Sequence, residues 1–199
     1  MSILDFYEVC GLLGENCRGS GGEILRAKRC CDGKELAVKK IAKKTSVEGK
    51  GQITAWERLS HRNIVDMLDW FEDQDHLFIV MELAKGGDMF DRISKTPKGR
   101  MTEKDAAASF SQILTAIQHM HTKDVMHCDI KPENILYMSA EDDLVKVADF
   151  GFAQLLDQGS HMFKYQGTLT YTAPEVIDGR AYDSNADMCS LLSAQSAGR

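Results

Sequence analysis

The sequence lacks the features that would place a chain outside the ordinary globular classes. It has 3 prolines in 199 residues, 43% of its residues are hydrophobic and 27% are charged, which excludes general disorder and low complexity. No apolar run approaches the roughly 20 residues that span a bilayer. The first five residues have neither a basic start nor an apolar core, so a secretory signal is not expected. We therefore expect a cytoplasmic (intracellular) protein with no membrane partner.

A basic surface and a cysteine framework are also missing. The net charge of -6 argues against a nucleic-acid partner, because phosphate backbones require clustered lysine and arginine. The cysteines form no CxxC pair and have no regular spacing, so we interpret all of them as free thiols in a reducing compartment. Zinc ligation is the alternative. The six positions are Cys10, Cys17, Cys30, Cys31, Cys128 and Cys189.

The first third of the chain predicts strands broken by turns, with one helix inserted. The turn at 31–34 contains Asp32-Gly33 and separates two strand-like runs, which indicates a hairpin. Apolar residues recur on one helical face over 52–59. The stretch 14–22 is rich in glycine. The predicted strands cover 7–13, 24–30, 35–41, 64–71 and 76–83.

Helices dominate the sequence after the glycine pair Gly86-Gly87. Thr102 is a predicted helix cap, with Asp105 three residues later as in a loose capping box. Apolar side chains then keep helical spacing as far as about His121, and we expect them to face a core. Two short strands are predicted near Ile135–Tyr137 and Val145–Val147. The residues of the helical stripe are Phe110, Ile113, Leu114, Ile117 and Met120.

Four short motifs follow one another in a fixed order. They are Leu36-Ala37-Val38-Lys39, His127-Cys128-Asp129-Ile130-Lys131-Pro132-Glu133-Asn134, Asp149-Phe150-Gly151 and Ala173-Pro174-Glu175. Together they resemble the Ser/Thr protein kinase domain. The segment 78–93 is most similar to the calcium/calmodulin-dependent group, and the resemblance extends to about Leu191. It implies an α+β, two-lobed fold with a small antiparallel lobe and hinge at 1–85 and a mainly helical, incomplete lobe at 86–199.

The resemblance implies transfer of the γ-phosphate of ATP to a Ser or Thr hydroxyl of a protein substrate, with Mg2+ as cofactor. Such transfer depends mainly on positioning and charge neutralisation. Asp129 would accept the hydroxyl proton, Lys131 would steady the moving phosphate, and Lys39 would hold the α- and β-phosphates. Asp149 and Asn134 would supply the oxygen ligands that magnesium prefers.

Further positions are implied around the nucleotide. Met81 matches the gatekeeper, and the hinge backbone from Glu82 to Ala84 would bind the adenine edge. Asp88 would meet the ribose, and Glu133 suggests a protein substrate with basic residues near the acceptor. Thr168 matches the threonine that braces Asp129. The adenine walls would be Leu13, Ile24, Ala37 and Leu136, and the phosphate loop would use Gly19 and Gly22.

Two departures weaken the nucleotide site. The three-glycine frame of the phosphate loop falls on Cys17, Gly19 and Gly22, and Gly14 substitutes only if the loop carries three extra residues. The acid expected to pair with Lys39 falls on Gln52, which can hydrogen-bond a lysine but cannot neutralise it. Glu48, one helical turn earlier, is the alternative partner.

Two further departures concern control and completeness. Cys128 replaces the arginine that commonly holds an activation-segment phosphate, and Lys164 stands at the usual phosphosite, so we predict activity independent of phosphorylation there. Asp187 resembles the residue that anchors the catalytic loop, and the chain ends 12 residues later (199 − 187). Because family members continue with more helices, we expect an uncovered apolar underside along 110–120.

Three hypotheses follow from these motifs and departures. The first is an ATP- and magnesium-dependent Ser/Thr kinase. The second is a non-catalytic kinase-fold module that binds partners or nucleotide, which Gln52 and the irregular glycine frame favour. The third is a truncated, inactive product. No pattern in the sequence identifies a regulatory partner.

Overall fold

The computed structural model describes residues 2–14, 22–43, 46–97, 99–156 and 167–197. Its N-terminal part is a five-stranded antiparallel sheet formed by β1 (Tyr7–Gly14), β2 (Glu23–Arg29), β3 (Glu35–Ala42), β4 (Met67–Glu72) and β5 (His76–Glu82). The strand order is β1-β2-β3-β5-β4. All five strands predicted from the sequence are therefore present, with the predicted hairpin between β2 and β3.

The central strand β3 is buried on both faces, which explains its nearly continuous apolar sequence. Leu36 and Val38 enter one cluster with Ile3 and Tyr7 on the outer face of the sheet. Ala37, Ile41 and the stem of Lys39 lie on the other face, since side chains alternate along a strand. That second face points toward the rest of the molecule and carries the candidate site.

The helix of this lobe, α1 (Ser46–Trp56), starts earlier and ends earlier than the predicted 52–59. Its buried C-terminal residues Ile53 and Trp56 account for the periodic signal. The first turns contain Gly49 and Gly51 and no apolar repeat, so the sequence pattern does not indicate them. Leu59 lies beyond the end of the helix.

The C-terminal part contains four helices among the described residues: α2 (Met89–Ser94), α3 (Glu103–Thr122), α4 (Pro174–Ile177) and α5 (Asn185–Ala197). Thr102 caps α3 as predicted, because its Oγ1 accepts the N–H of Asp105 and donates to the Asp105 carboxylate. Two small sheets accompany the helices. β6 (Val125–Met126) pairs with β9 (Gln154–Leu155), and β7 (Ile135–Tyr137) pairs with β8 (Val145–Val147).

One hydrophobic core runs through both parts. It joins Ile79 of β5 and Trp56 of α1 to Ile117 of α3 and Phe150, which follows β8. The α+β, two-lobed arrangement predicted from the sequence is confirmed. Within the described ranges, no helix is long and apolar enough to cross a membrane.

Candidate active site

The segment His127–Asn134 connects β6 to β7 and is fixed from below by one buried carboxylate. Asp187 at the start of α5 is 1% exposed, and its two oxygens accept the backbone N–H of His127 at 3.0 Å and of Cys128 at 2.9 Å. His121 of α3 adds a third contact, with Nε2 2.9 Å from Asp187 Oδ2. These bonds offset the left-handed backbone of Cys128, whose φ is 64°.

The Asp129 carboxylate is held on both of its oxygens. Thr168 donates from Oγ1 to Oδ1 at 2.7 Å, and Lys131 Nζ lies 2.7 Å from Oδ2. Lys131 Nζ also donates to Thr168 Oγ1 at 2.8 Å, so the three side chains form a closed ring of bonds. Asp129 and Lys131 are each 4% exposed, and such a buried pair is stable only when its remaining polar atoms are bonded.

Asn134 joins this ring to the segment before Asp149. Its Nδ2 donates to the Asp129 carbonyl at 2.8 Å and to Asp129 Oδ2 at 3.1 Å, so these bonds leave its Oδ1 unused. The Asn134 carbonyl accepts the N–H of Ala148 at 2.8 Å. The β7–β8 hairpin thus returns the chain to Asn134 at the residue immediately before Asp149.

Asp149 contacts the small lobe through Lys39. Lys39 Nζ lies 2.6 Å from Asp149 Oδ1, although the two residues are 110 positions apart in the chain. Asp149 has a left-handed backbone with φ 59°, and its Oδ1 also accepts the N–H of Gly151 at 3.2 Å. Lys39 is 2% exposed, so a cation is placed at the junction of the lobes, beside the carboxylate.

Aromatic rings fix the chain just after Asp149. The Phe150 ring is fully buried and stacks on Trp56 of α1, with centroids 4.8 Å apart and an interplanar angle of 29°. His127 meets the same ring edge-on at 5.1 Å. Since Nδ1 of His127 accepts the Asp129 N–H, Nε2 must carry the proton that it donates to the Ala148 carbonyl.

The predicted adenine walls belong to, or pack against, the core that both lobes share. Ala37 and Met81 are paired across β3 and β5 and belong to the shared core. Leu13, Ile24 and Leu136 are partly buried against the same core. These five predicted residues therefore share one core cluster, which extends through both lobes.

The predicted hinge residues lie at the end of β5 and just after it. Glu82 ends β5, and Ala84 is two residues further, half-buried. Asp88 uses Oδ1 to cap α2 by accepting the Asp91 N–H at 2.7 Å, a role that the sequence does not predict.

Gly22 requires glycine, because a Cβ there would lie 2.7 Å from the Lys40 carbonyl oxygen. Gly19 lies outside the described residues.

Gln52 lies on α1 at the position where the resemblance predicts an acid to pair with Lys39. It is 3% exposed, and its Oε1 has no hydrogen-bond partner among the residues that the structure describes. A buried, unsatisfied amide oxygen costs about 1–3 kcal/mol. The Glu48 side chain, the alternative partner for Lys39, falls outside the described part of the chain.

Cys128 packs where the resemblance predicts an arginine. Its side chain lies against an apolar cluster formed by Met126, Ala173, Val176, Tyr182 and Ala186. Burial, followed by the charges of Asp187 and Asp129, raises the pKa of the Cys128 thiol well above its usual value of 9.0, so the side chain stays neutral. Lys164, at the predicted phosphosite position, lies outside the described residues.

The oxygens of Asp149 and Asn134 suit a hard cation. In the parts of the chain that the structure describes, no three histidine, cysteine or acidic groups cluster to hold a metal on their own. One carboxylate and one amide oxygen fit magnesium instead, because that ion keeps water and substrate phosphate oxygens as its other ligands. The donor set is therefore consistent with Mg2+ carried by a nucleotide.

Sequence reasoning misses two residues beside the site. The helical spacing identifies Trp56 only as a core residue. Its position four residues after Gln52, on the same helical face, was the signal that could have marked it. Lys146 lies between two buried valines of β8 and is itself 7% exposed. Its position three residues before Asp149 was the signal that could have marked it.

Comparison with known proteins agrees with this architecture. The family model described as "Protein kinase domain" matches residues 7–192, and the chain belongs to that family. Over 194 residues it is 39% identical to human calcium/calmodulin-dependent protein kinase type IV, an alignment covering 96% of this chain and 40% of that protein. It is 36% identical over 196 residues to the type 1 enzyme of Macrobrachium nipponense, covering 96% of this chain and 55% of the relative.

A fungal relative gives the same result. The calcium/calmodulin-dependent protein kinase cmkA of Emericella nidulans is 38% identical over 175 residues, which cover 84% of this chain and 41% of the relative. The chain thus spans about half, or less, of the length of these curated relatives.

Proposed function

We propose that this chain is the catalytic domain of an ATP-dependent Ser/Thr protein kinase, with a nucleotide between the small lobe at 1–85 and the large lobe at 86–199. The observation that carries the proposal is the Asp129 carboxylate, bonded to both Lys131 and Thr168. This ring is joined through Asn134 to the segment that bears Asp149. A binding surface alone does not require Asp129, Lys131, Thr168 and Asn134 in one bonded network.

In the proposed reaction, a substrate Ser or Thr hydroxyl attacks the γ-phosphorus of ATP and gives its proton to Asp129. The bond between the γ-phosphorus and the β,γ-bridging oxygen breaks, and ADP leaves. Lys131 balances negative charge near the transferred group, and Lys39 binds the phosphates that remain with ADP. Mg2+, held by Asp149 and Asn134, would neutralise charge on the phosphate oxygens.

The substrate is proposed to be a protein segment with basic residues near the acceptor. Glu133 is exposed four residues after Asp129 in the chain, and Asp88 is half-buried at the start of α2. A carboxylate in such a position attracts arginine or lysine, with a gain that is modest where water screens it. The three relatives have calmodulin in their names, but no contact among the described residues of this chain indicates a calmodulin partner.

The test combines ATP binding and phosphate transfer on the same preparation. We expect Mg2+-dependent thermal stabilisation by ATP and transfer to a serine peptide with basic residues. Asp149→Asn removes the charge that the proposal assigns to the metal site, so transfer should fall by about 1,000-fold or more. Transfer that survives this substitution contradicts the metal role.

A non-catalytic nucleotide-binding module is the second candidate. Gln52 favours it, because a buried amide without a partner among the described residues replaces the expected acid of α1. Stabilisation by ATP without any transfer would support the module. A melt without a cooperative transition would contradict both candidates.

A further inference from the structure

Lys146 is a buried cation that the proposed reaction does not use. It lies in β8 between Val145 and Val147, and its side chain is 9% exposed. An ammonium group removed from water is unfavourable unless it is paired and hydrogen-bonded. The position therefore indicates a specific partner rather than a surface charge.

The partner is the last residue of β5. Lys146 Nζ donates to Glu82 Oε1 at 2.5 Å, and Asp66 Oδ2 lies 3.8 Å from the same nitrogen. Glu82 Oε1 also accepts the backbone N–H of Asp66 at 2.7 Å, while the Glu82 N–H donates to the Asp66 carbonyl at 3.1 Å. We name Asp66, Glu82 and Lys146 the hinge ion-pair cluster.

This cluster connects the hinge to the floor of the proposed nucleotide pocket. Lys146 is the cross-strand neighbour of Leu136, one of the predicted adenine walls, in the β7–β8 hairpin. Glu82 directly follows Met81 and is the first of the hinge residues whose backbone is proposed to bind adenine. The ion pair therefore ties the hinge directly to the strand pair that carries Leu136.

The other side of the hinge is attached through backbone bonds to the end of β7 and to the residue that follows it. The N–H of Lys85 donates to the Met138 carbonyl at 3.0 Å, and the N–H of Gly86 donates to the Tyr137 carbonyl at 2.9 Å. These bonds fix residues 85 and 86, whereas Glu82 reaches β8 through its side chain. The hinge segment 82–84 thus lies between two attachments to the same hairpin.

We propose that Lys146 is a positioning residue for the nucleotide. By holding Glu82, it fixes the distance between the hinge backbone and Leu136. The inference rests on the proposed function only in requiring that ATP binds at this hinge. Its effect should appear in ATP affinity, because the ion pair does not touch Asp129, Asn134 or Asp149.

The test measures ATP dissociation constants by calorimetry, together with KM and kcat. Lys146→Met keeps the length of the side chain and removes the charge, so we expect ATP Kd and KM to rise about tenfold and kcat to change less than about twofold. Lys146→Arg should bring Kd back to within about threefold of wild type, because the guanidinium can still bond Glu82. In the matched control Lys95→Met, which removes an exposed lysine 3.0 Å from Asp91 in α2, neither quantity should change by more than about twofold.

Glu82→Gln provides a second variant if Lys146→Met does not fold. We expect a smaller rise in Kd, about threefold, because the amide still accepts a bond from Lys146 but lacks the charge. An unchanged Kd in the Lys146 and Glu82 variants overturns the inference, as does an equal rise in the Lys95 control. A wild-type chain that binds ATP without transferring phosphate contradicts the proposed function, while the Kd series still decides the role of Lys146. A wild-type chain that binds no ATP overturns both.

Discussion

The segment His127–Asn134 and helix α1 both place polar side chains at the junction between the lobes, but the hydrogen bonding of these side chains differs. Around Asp129, the polar contacts are short and are shared among Lys131, Asn134 and Thr168. On α1, Gln52 is buried with an oxygen that accepts no hydrogen bond in the described parts of the chain. The loop is organised by charge, while the helix is held mainly by packing.

The packing that holds α1 is aromatic. Trp56 stacks on Phe150, and its Nε1 donates to the Val65 carbonyl at 2.8 Å. Val65 in turn donates its N–H to Val147, two residues before Asp149. The contacts of Trp56 and Val65 therefore fix helix α1 relative to Asp149 without a contribution from Gln52. Substitutions in the two regions should separate packing from charge.

Removing the tryptophan should change stability more than any other substitution on the α1 side. Trp56→Ala should lower the free energy of unfolding by about 3–5 kcal/mol, because the ring is 2% exposed and its loss leaves a cavity against Phe150. Urea denaturation measures the change, and Trp70→Ala, at a ring that is 38% exposed, is the control with a smaller loss. Equal losses in the two variants would contradict the assignment of α1 to aromatic packing.

Substitutions of two glutamines, Gln52 on α1 and Gln112 on α3, compare the polar contacts of the two regions. The Gln52 oxygen has no hydrogen-bond partner among the described residues, whereas Gln112 is hydrogen-bonded. Gln112 of α3 donates to the Asp143 carbonyl at 2.8 Å and accepts bonds from Asn63 and Val145, so Gln112→Leu should cost about 1–3 kcal/mol. Gln52→Leu removes an unsatisfied oxygen, and the free energy of unfolding should stay level or rise by about 1 kcal/mol. A Gln52→Leu variant that loses as much stability as Gln112→Leu would show that the amide is satisfied in solution.

Cysteine alkylation tests the organisation of the loop. Because the pKa of Cys128 is raised by burial and by Asp187 and Asp129, its thiolate is scarce near pH 8. We expect iodoacetamide to modify Cys128 at least about tenfold more slowly than the exposed Cys30 in the folded chain. Mass spectrometry of tryptic peptides measures both rates, and in urea they should converge. Similar rates in the folded chain would contradict the buried loop.

A weaker effect is expected from pH, at the link between α1 and β4. Burial, then the charges of His119, Arg62 and Lys146, lowers the pKa of His61 below 6.5, and its Nδ1 accepts the Asn63 N–H. His61 of the unfolded chain therefore binds a proton more readily than His61 of the folded chain. The neutral His61 ring thus contributes to stability above pH 6.5. This contribution is lost as the pH falls from 6.5 through the lower pKa of the folded state.

The His61→Asn variant separates this effect from other titrations, because an amide oxygen can accept the same N–H without gaining a proton. We expect its free energy of unfolding to decline less than that of wild type between pH 7.5 and 5.5, measured by urea titration at each pH. A steeper decline in the variant would mean that the folded state binds the His61 proton more tightly than the unfolded state.

The sequence predicted local features well where a pattern was strong. The β7 and β8 bounds and the Thr102 cap were predicted correctly, because turn residues and capping chemistry are local. The six-residue α2 and the two-residue β6 and β9 were missed, since they are too short for a periodic signal.

Long-range features depended on the family resemblance or were not predicted at all. The Lys39–Asp149 contact spans 110 positions, and only the resemblance brought the two residues together. The pairing of Lys146 with Glu82 was missed because a lysine between two valines has the pattern of an exposed strand position. The unsatisfied oxygen of Gln52 depends on what surrounds it in three dimensions, which no spacing encodes.

The bonded ring around Asp129 is proposed to perform chemistry and not merely to bind nucleotide. The most direct test compares wild type with Asp129→Asn for ATP affinity and phosphate transfer. We expect an ATP dissociation constant within about threefold of wild type and transfer reduced by about 100- to 10,000-fold, the range for loss of a general base. Transfer within about tenfold of wild type, with ATP still bound, would show that Asp129 is not the base.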